Sequence, residues 1–187
     1  MSDQARTPQP GPGAFRARLG EILRVDHAGE LAAVHIYQGQ RAVFQAARGH
    51  EKIAGQLAHM EAQEQHHYDT FCRLLTQHEV RPTLMTPIWR VAAFGLGVGT
   101  ALLGEKVAHA CTEAVETVIE GHYAGQIAEM AERDPELTKD LVAFRDDEIE
   151  HRDTAVDQGA HEAPAYPLLS AVIKAGCRAA IKLSEKV

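Results

Sequence analysis

Two four-residue stretches, Glu64-Gln65-His66-His67 and Glu148-Ile149-Glu150-His151, decide the fold of this chain, because each is a Glu-x-x-His. Working outward, each follows a lone Glu about thirty residues upstream, Glu30 before the first and Glu116 before the second. Corresponding residues lie 86, 84 and 84 positions apart (30 to 116, 64 to 148, 67 to 151), the signature of a duplicated helical hairpin. On an α-helix, residues i and i+3 project from one face, so Glu64 with His67 and Glu148 with His151 can each chelate from one side. A separation of about thirty residues suits two helices of roughly fifteen to twenty residues and a short turn, which sets the lone Glu opposite the pair. Two such hairpins packed antiparallel make an all-α four-helix bundle around six inward side chains, the arrangement of a dinuclear carboxylate site, most often di-iron.

Carboxylate oxygen and imidazole nitrogen suit divalent iron and manganese, and no thiolate motif is present that would favour zinc or a cluster. Four carboxylates balance the charge of two divalent cations. A single Glu-x-x-His is weak evidence, since such a pair commonly marks a solvated helix face. Specificity comes from the paired order, the matching offsets and the helical context of all six residues. Spacing alone leaves one choice open, because Glu113 and Glu120 share roughly a helical face with Glu116.

The rest of the chain agrees with a single helical domain of 187 residues, large enough to bury a site. Runs with strand-like alternation are missing. The net charge of −7 and the lack of a basic stripe argue against nucleic acid. Cys72, Cys111 and Cys177 are odd in number and widely spaced, which suggests a reducing compartment and small core residues. Residues 1–13 carry Pro8, Pro10 and Pro12 with Gly11 and Gly13 and are expected to form a flexible lead, with helix from about Ala14. No apolar run follows Met1, and Asp3 with sparse Arg argues against an organellar presequence, so a bacterial protein is the simplest reading. Helices are predicted over about 14–47, 51–78, from Pro87, 105–133, from Pro135 to Gln158, and 166–187.

Two segments do not fit a plain soluble bundle. Ile88–Leu103 reads IWRVAAFGLGVGTALL, and its apolar part is too short for a comfortable membrane span. Tyr166–Leu183 sets Leu168, Leu169, Val172, Ile173, Ile181 and Leu183 beside Lys174, Arg178 and Lys182, which reads as an interfacial helix with cations near headgroup level. Core packing or a dimer surface is the plainer reading of both; a protein that lies on a membrane without crossing it is the favoured one.

Four stretches carry a family resemblance: LRVDHAGELAAVHIYQGQ (23–40), HACTEAVETVIEGHYAGQI (from His109), FRDDEIEHRDTAVDQGA (from Phe144) and APAYPLLSAVIKAGCRAAIKLSEKV (from Ala163). Together they resemble the demethoxyubiquinone hydroxylase family over nearly the whole chain from about Ala14. The resemblance implies a ferritin-like di-iron monooxygenase of ubiquinone biosynthesis, acting with O2 on a polyprenylated demethoxyubiquinone or its quinol. It implies two iron ions held by Glu30, Glu64, His67, Glu116, Glu148 and His151, and its Ala-Val-Glu match selects Glu116. It also implies NADH as reductant, although no Gly-x-Gly-x-x-Gly follows a strand. His122 and Tyr123 match a His-Tyr pair that family members are thought to use near the quinone for electron or proton movement, and Tyr37 is a weaker candidate. Asp146, Asp147 and Asp153 are candidates to hold the second nitrogen of the ligand imidazoles. A bilayer-resident substrate requires an apolar entrance, expected at Ile88–Leu103 and the C-terminal helix, on the cytoplasmic side of a bacterial inner membrane. A lipid-binding partner protein or a homo-oligomer completes the implied partners. The rival readings are a ferritin- or rubrerythrin-like iron oxidase or storage protein, and a non-enzymatic membrane lipid-binding protein. The apolar segments argue against the first, as does the lack of Cys-x-x-Cys pairs against a rubredoxin domain; the complete ligand set argues against the second.

Overall fold

In the computed structural model, which describes residues 11–187, the two predicted hairpins form from α1 (Pro12–Ala46) with α2 (Glu51–Gln77) and from α4 (Glu105–Met130) with α5 (Pro135–Asp157). Two further helices, α3 (Thr86–Leu102) and α6 (Tyr166–Lys186), and a 3-10 turn (Ala160–Glu162) complete the described residues, which contain no strand. Every predicted helix is present, with ends within about three residues of the expectation. The expected lead over 1–13 falls mostly on residues outside those described. At its end the expectation is corrected: helix begins at Pro12, not at Ala14, because proline at the first helical position loses no hydrogen bond.

Short connections make both hairpins antiparallel. Residues 47–50 join α1 to α2, and the ion pair Arg41–Glu61 (2.6 Å) fastens the two helices near that turn. Asp134 starts α5 by accepting from the Leu137 amide (3.0 Å), with Pro135 next in line, a cap with a physical reason at each atom. Between α3 and α4 the chain turns at Gly104, whose φ of 110° strains any side-chain-bearing residue.

The core stripe of α2 runs Ile53, Leu57, Met60, Glu64, His67, Phe71, Leu74, and that of α5 runs Leu137, Leu141, Phe144, Glu148, His151, Ala155. Steps of three and four keep each stripe on one face. The Glu-x-x-His pairs therefore occupy positions where the rest of the stripe is apolar. Leu19, Leu23, Phe71, Leu74 and Leu141 belong to an apolar layer on one side of them, and Tyr37, Phe44, Ile53, Leu57 and Met60 to a layer on the other. Packing on both sides keeps water from the middle.

Helix α3 lies directly against α1. A Cβ on Gly97 would sit 2.1 Å from the Ile36 carbonyl oxygen, and one on Gly39 would sit 2.4 Å from that of Phe94, so only glycine permits this crossing. Helix α6 packs on α4 and α1 and is tied to α3 by the Trp89 indole donating to the Ser184 hydroxyl (3.0 Å). Its Lys174 reaches inward to Glu113 (2.9 Å), where Tyr166 and Ser170 also donate. That corrects the expectation of Lys174 at headgroup level; Arg178 and Lys182 do remain exposed. The three cysteines are free thiols.

Candidate metal centre

Glu30, Glu64, His67, Glu116, Glu148 and His151 converge between the apolar layers, each 1% exposed or less. Ligand atoms of Glu30, Glu64, His67 and Glu148 lie within 4.8 Å of one another, as do those of Glu64, Glu116, Glu148 and His151. The two sets share Glu64 and Glu148, so these carboxylates stand between two ion-sized positions. Uncompensated, such a charge cluster in the interior would be severely destabilising.

The unpaired atoms point to what compensates it. Glu30 Oε2, both oxygens of Glu64 and Glu148, Glu116 Oε2, and Nδ1 of both His67 and His151 are buried without a hydrogen-bond partner. Both rings turn the same way. His67 Nε2 faces Asp147 Oδ2 (3.0 Å) and His151 Nε2 faces Gln63 Oε1 (3.0 Å), which leaves both Nδ1 atoms to the cluster. His67 Nδ1 lies 3.4 Å from Glu30 and 3.5 Å from Glu148, and His151 Nδ1 lies 3.0 Å from Glu64. Oxygen-rich donors with two imidazoles fit divalent iron or manganese.

Electrostatics agree. Burial and the neighbouring Glu148 and Glu64 push Glu116 well above the usual carboxylate range. Burial opposes a proton on either imidazole, yet the carboxylates win: Glu148, Glu30 and Glu64 hold His67 far above its ordinary value, and Glu148 and Glu64 push His151 up to about 11. A proton on Nδ1 is the smallest cation that answers this field, and a bound metal answers it in the same place.

Partners of the cluster repeat with the duplication. Tyr37 donates to Glu116 Oε1 (2.5 Å), and Tyr123, 86 positions later, donates to Glu30. Each tyrosine thus crosses to the lone Glu of the other hairpin. Burial and the adjacent carboxylates raise both phenols well above their ordinary value, so both stay donors. Gln63 and Asp147, 84 positions apart, each precede a Glu-x-x-His and each support the histidine of the other hairpin; Gln63 Nε2 also donates to Asp147 Oδ1 (3.2 Å). The His67 ring stacks on Phe144 (4.0 Å between centroids).

Among the sequence candidates, Asp147 takes the supporting role, Asp146 is exposed and Asp153 pairs with Arg152. Gln63 was missed, although its place one residue before Glu64 mirrors that of Asp147. Tyr37, the weaker candidate, is in the cluster's hydrogen-bond shell. The open choice at the second lone Glu resolves by helix rotation: Glu113 is bound by Lys174 and Glu120 by Arg145 and Arg152, while Glu116 faces the cluster. His122 lies outside the cluster, at the α4 edge beside Asp26 and Gln126.

Beside the cluster, α1, α3, α4 and α6 enclose an apolar cavity of about 320 Å³, walled by Ala32, Ile36, Trp89, Leu96, Ile119 and Ile173 among others. Leu96 belongs to its lining. Leu102 (70% exposed), Leu103 (72%) and Leu168 (68%) stand on the outer surface of the same helices and the α3–α4 turn. Among the described residues no helix is long and apolar enough to cross a membrane.

Comparison with known proteins is specific. A family model described as ubiquinone biosynthesis protein COQ7 matches residues 17–184. The chain is 48% identical over 178 residues to a 3-demethoxyubiquinol 3-hydroxylase of Rhodospirillum rubrum, covering 95% of this chain and 82% of that one. It is 48% identical over 175 residues to a mitochondrial NADPH-dependent 3-demethoxyubiquinone 3-hydroxylase of Mus musculus, with 91% and 79% covered. To a mitochondrial 5-demethoxyubiquinone hydroxylase of Saccharomyces cerevisiae it is 42% identical over 189 residues, with 93% and 80% covered. The match spans both hairpins, the cavity walls and all six converging side chains, and the chain belongs to the ubiquinone biosynthesis protein COQ7 family.

Proposed function

We propose that this protein is an oxidoreductase of ubiquinone biosynthesis that hydroxylates the ring of a demethoxyubiquinone or demethoxyubiquinol with O2, at a di-iron centre in a single ferritin-like domain over residues 14–187. One observation carries the reading: six buried carboxylate and imidazole side chains able to hold metal converge beside an apolar cavity, in a chain whose relatives are named for this hydroxylation. Glu64 and Glu148, common to both groups, would hold two irons together with Glu30 and His67 in one group and Glu116 and His151 in the other. When bound, the irons supply the electrons that activate dioxygen. The chain's own residues do the rest. Asp147 and Gln63 hold the imidazoles with Nδ1 inward, Tyr37 and Tyr123 hold the lone glutamates by hydrogen bonds, and the apolar layers exclude water.

The cavity would take the quinone ring, with the polyprenyl tail leaving toward the apolar surface of α3 and α6. That surface, with exposed Arg178 and Lys182, suits peripheral attachment to an anionic membrane, here the cytoplasmic face of a bacterial inner membrane. His122 and Tyr123 are assigned to proton or electron movement near the ring. The reductant is a reduced nicotinamide: the family resemblance implies NADH, and the mouse relative's name specifies NADPH.

The test is direct. Iron-loaded protein, a short-tailed demethoxyubiquinone analogue, NADH or NADPH and O2 should yield product carrying one added oxygen atom by mass spectrometry, lost in Glu148→Ala. No product from protein with two bound irons would move the assignment to an iron oxidase or storage role. For the membrane face, Leu102→Glu with Leu168→Glu should release the protein from anionic vesicles in a flotation assay while iron content stays intact; unchanged flotation would reject that placement.

A further inference from the structure

The duplication isolates a group that the bundle itself does not require. Adding 86 carries Glu30 to Glu116, Tyr37 to Tyr123 and Gln40 to Gln126, and like residues stand at both ends of each step. The same step carries Asp26 to Thr112 and Ile36 to His122, and there the likeness fails. In one copy Gln40 donates to the Thr100 hydroxyl (3.4 Å) and the Ala108 carbonyl (3.1 Å), with Ile36 and Thr112 buried nearby in α1 and α4. In the other copy Gln126 Nε2 lies 2.8 Å from Asp26 Oδ1 and 2.9 Å from His122 Nε2. Ile and Thr satisfy helix packing at these positions, so the buried acid and the imidazole answer to something else.

Asp26 is 3% exposed and Gln126 2% exposed, whereas the His122 side chain is 21% exposed and reaches the surface. Asp26 Oδ2 and Gln126 Oε1 are buried without a hydrogen-bond partner, so the pair keeps acceptor capacity in reserve. Val115 and Ile119 line the apolar cavity from α4, and His122 continues that helix face by three residues.

We propose that Asp26 and Gln126 are positioning residues that set the charge and tautomer of His122, through which the protein takes up the solvent proton consumed in each turnover. This rests on the hydroxylase reading. In that reaction a ring C–H and the O–O bond break, a ring C–O bond forms, and one oxygen leaves as water. The nicotinamide supplies two electrons as hydride, and one further proton comes from solvent. The Gln126 amide suits a two-way device. With the amide nitrogen toward His122, Nε2 accepts and the proton resides on Nδ1; a proton added on Nε2 displaces that donor and faces Asp26 Oδ1 (3.6 Å) instead. Burial alone would lower His122, but Asp26 outweighs it and holds the imidazole above its ordinary value. The other charges that act on the ring are Arg18 from α1, itself bound by Glu129, and Glu185 from α6.

Two readouts on iron-loaded protein test this. Diethyl pyrocarbonate attacks only unprotonated imidazole, so its reaction at His122, followed by peptide mass spectrometry against pH, reports the protonation midpoint without any turnover. Asp26→Asn should lower that midpoint, with about a tenfold faster reaction near neutral pH for each unit of displacement. The alkaline limb of the kcat profile should move to lower pH by the same amount, because a proton held less tightly is lost earlier as pH rises, while KM for the quinone analogue stays put. Asp26→Glu should return both toward wild type, and Gln126→Leu should weaken the coupling. An unmoved His122 midpoint in an Asp26→Asn protein that retains its iron overturns the proposal even where hydroxylation is robust. A shifted midpoint without hydroxylation in the wild type would overturn the hydroxylase reading and the proton-uptake role with it.

Discussion

The two hairpins contribute alike to the buried Glu/His cluster and unlike to its surroundings. Each supplies one lone Glu, one Glu-x-x-His, one tyrosine that crosses to the other hairpin's lone Glu, and one polar residue that supports the other hairpin's histidine. Outside that shell the copies part. The α1 position equivalent to His122 is Ile36, which lines the apolar cavity, and the α4 position equivalent to Asp26 is Thr112. A duplicated hairpin thus supplies two equivalent sets of inward Glu and His side chains, while its divergence separates an apolar side from a polar side that reaches solvent.

The largest expected effect tests the shared centre. Glu148→Ala removes a residue common to both ligand sets, so both metals should be lost, and turnover should fall by more than the roughly 10–100-fold that loss of an outer hydrogen-bond partner costs. Glu116→Ala removes a residue of one set, so a partly occupied centre is the expected result. Metal analysis distinguishes the two, and full occupancy in Glu148→Ala would end the picture of two sites that share this residue. Next come Gln63→Ala and Asp147→Ala, each expected to weaken metal binding by about 10–100-fold, and by similar amounts because their roles mirror one another. A large difference between them in a competitive chelator titration would show that the symmetry is only formal.

Gly97→Ala should force α3 from α1 and cost about 1–3 kcal/mol, several degrees of melting temperature for a chain of this size, with loss of the cavity before loss of the metal. Calorimetry of the metal-loaded protein checks it. Tyr37→Phe and Tyr123→Phe each remove one buried hydrogen bond, worth about 1–2 kcal/mol. Their stabilities should match while Tyr123→Phe is the slower enzyme, since only Tyr123 adjoins His122; equal turnover would count against the asymmetry. The smallest effect concerns α6. Burial opposes ionisation of Glu113, but Lys174, Thr117 and Tyr166 outweigh it and hold the carboxyl below its ordinary value. Its contribution to α6 docking is therefore present above the ordinary glutamate range and is lost as pH falls through the lowered value. In Lys174→Met, acid loosening of α6 should begin at higher pH, as read by the single tryptophan, Trp89, which donates to Ser184 of that helix.

By itself the sequence determined what depends on local spacing. Helical periodicity, proline and glycine punctuation and the matched offsets are properties of neighbouring residues, so the six helices, the two hairpins and five of the six converging side chains were legible from them. The sixth, Glu116, needed the family resemblance, because Glu113, Glu116 and Glu120 are interchangeable by spacing. Tertiary structure gives the physical reason, helix rotation: Lys174 from α6, and Arg145 and Arg152 from α5, neutralise the other two. Gln63, the crossed tyrosines, the inward turn of Lys174 and the Asp26–Gln126–His122 group have the same origin. Each joins residues from different helices, and which faces meet is set by packing between helices, which a pattern along one helix does not encode.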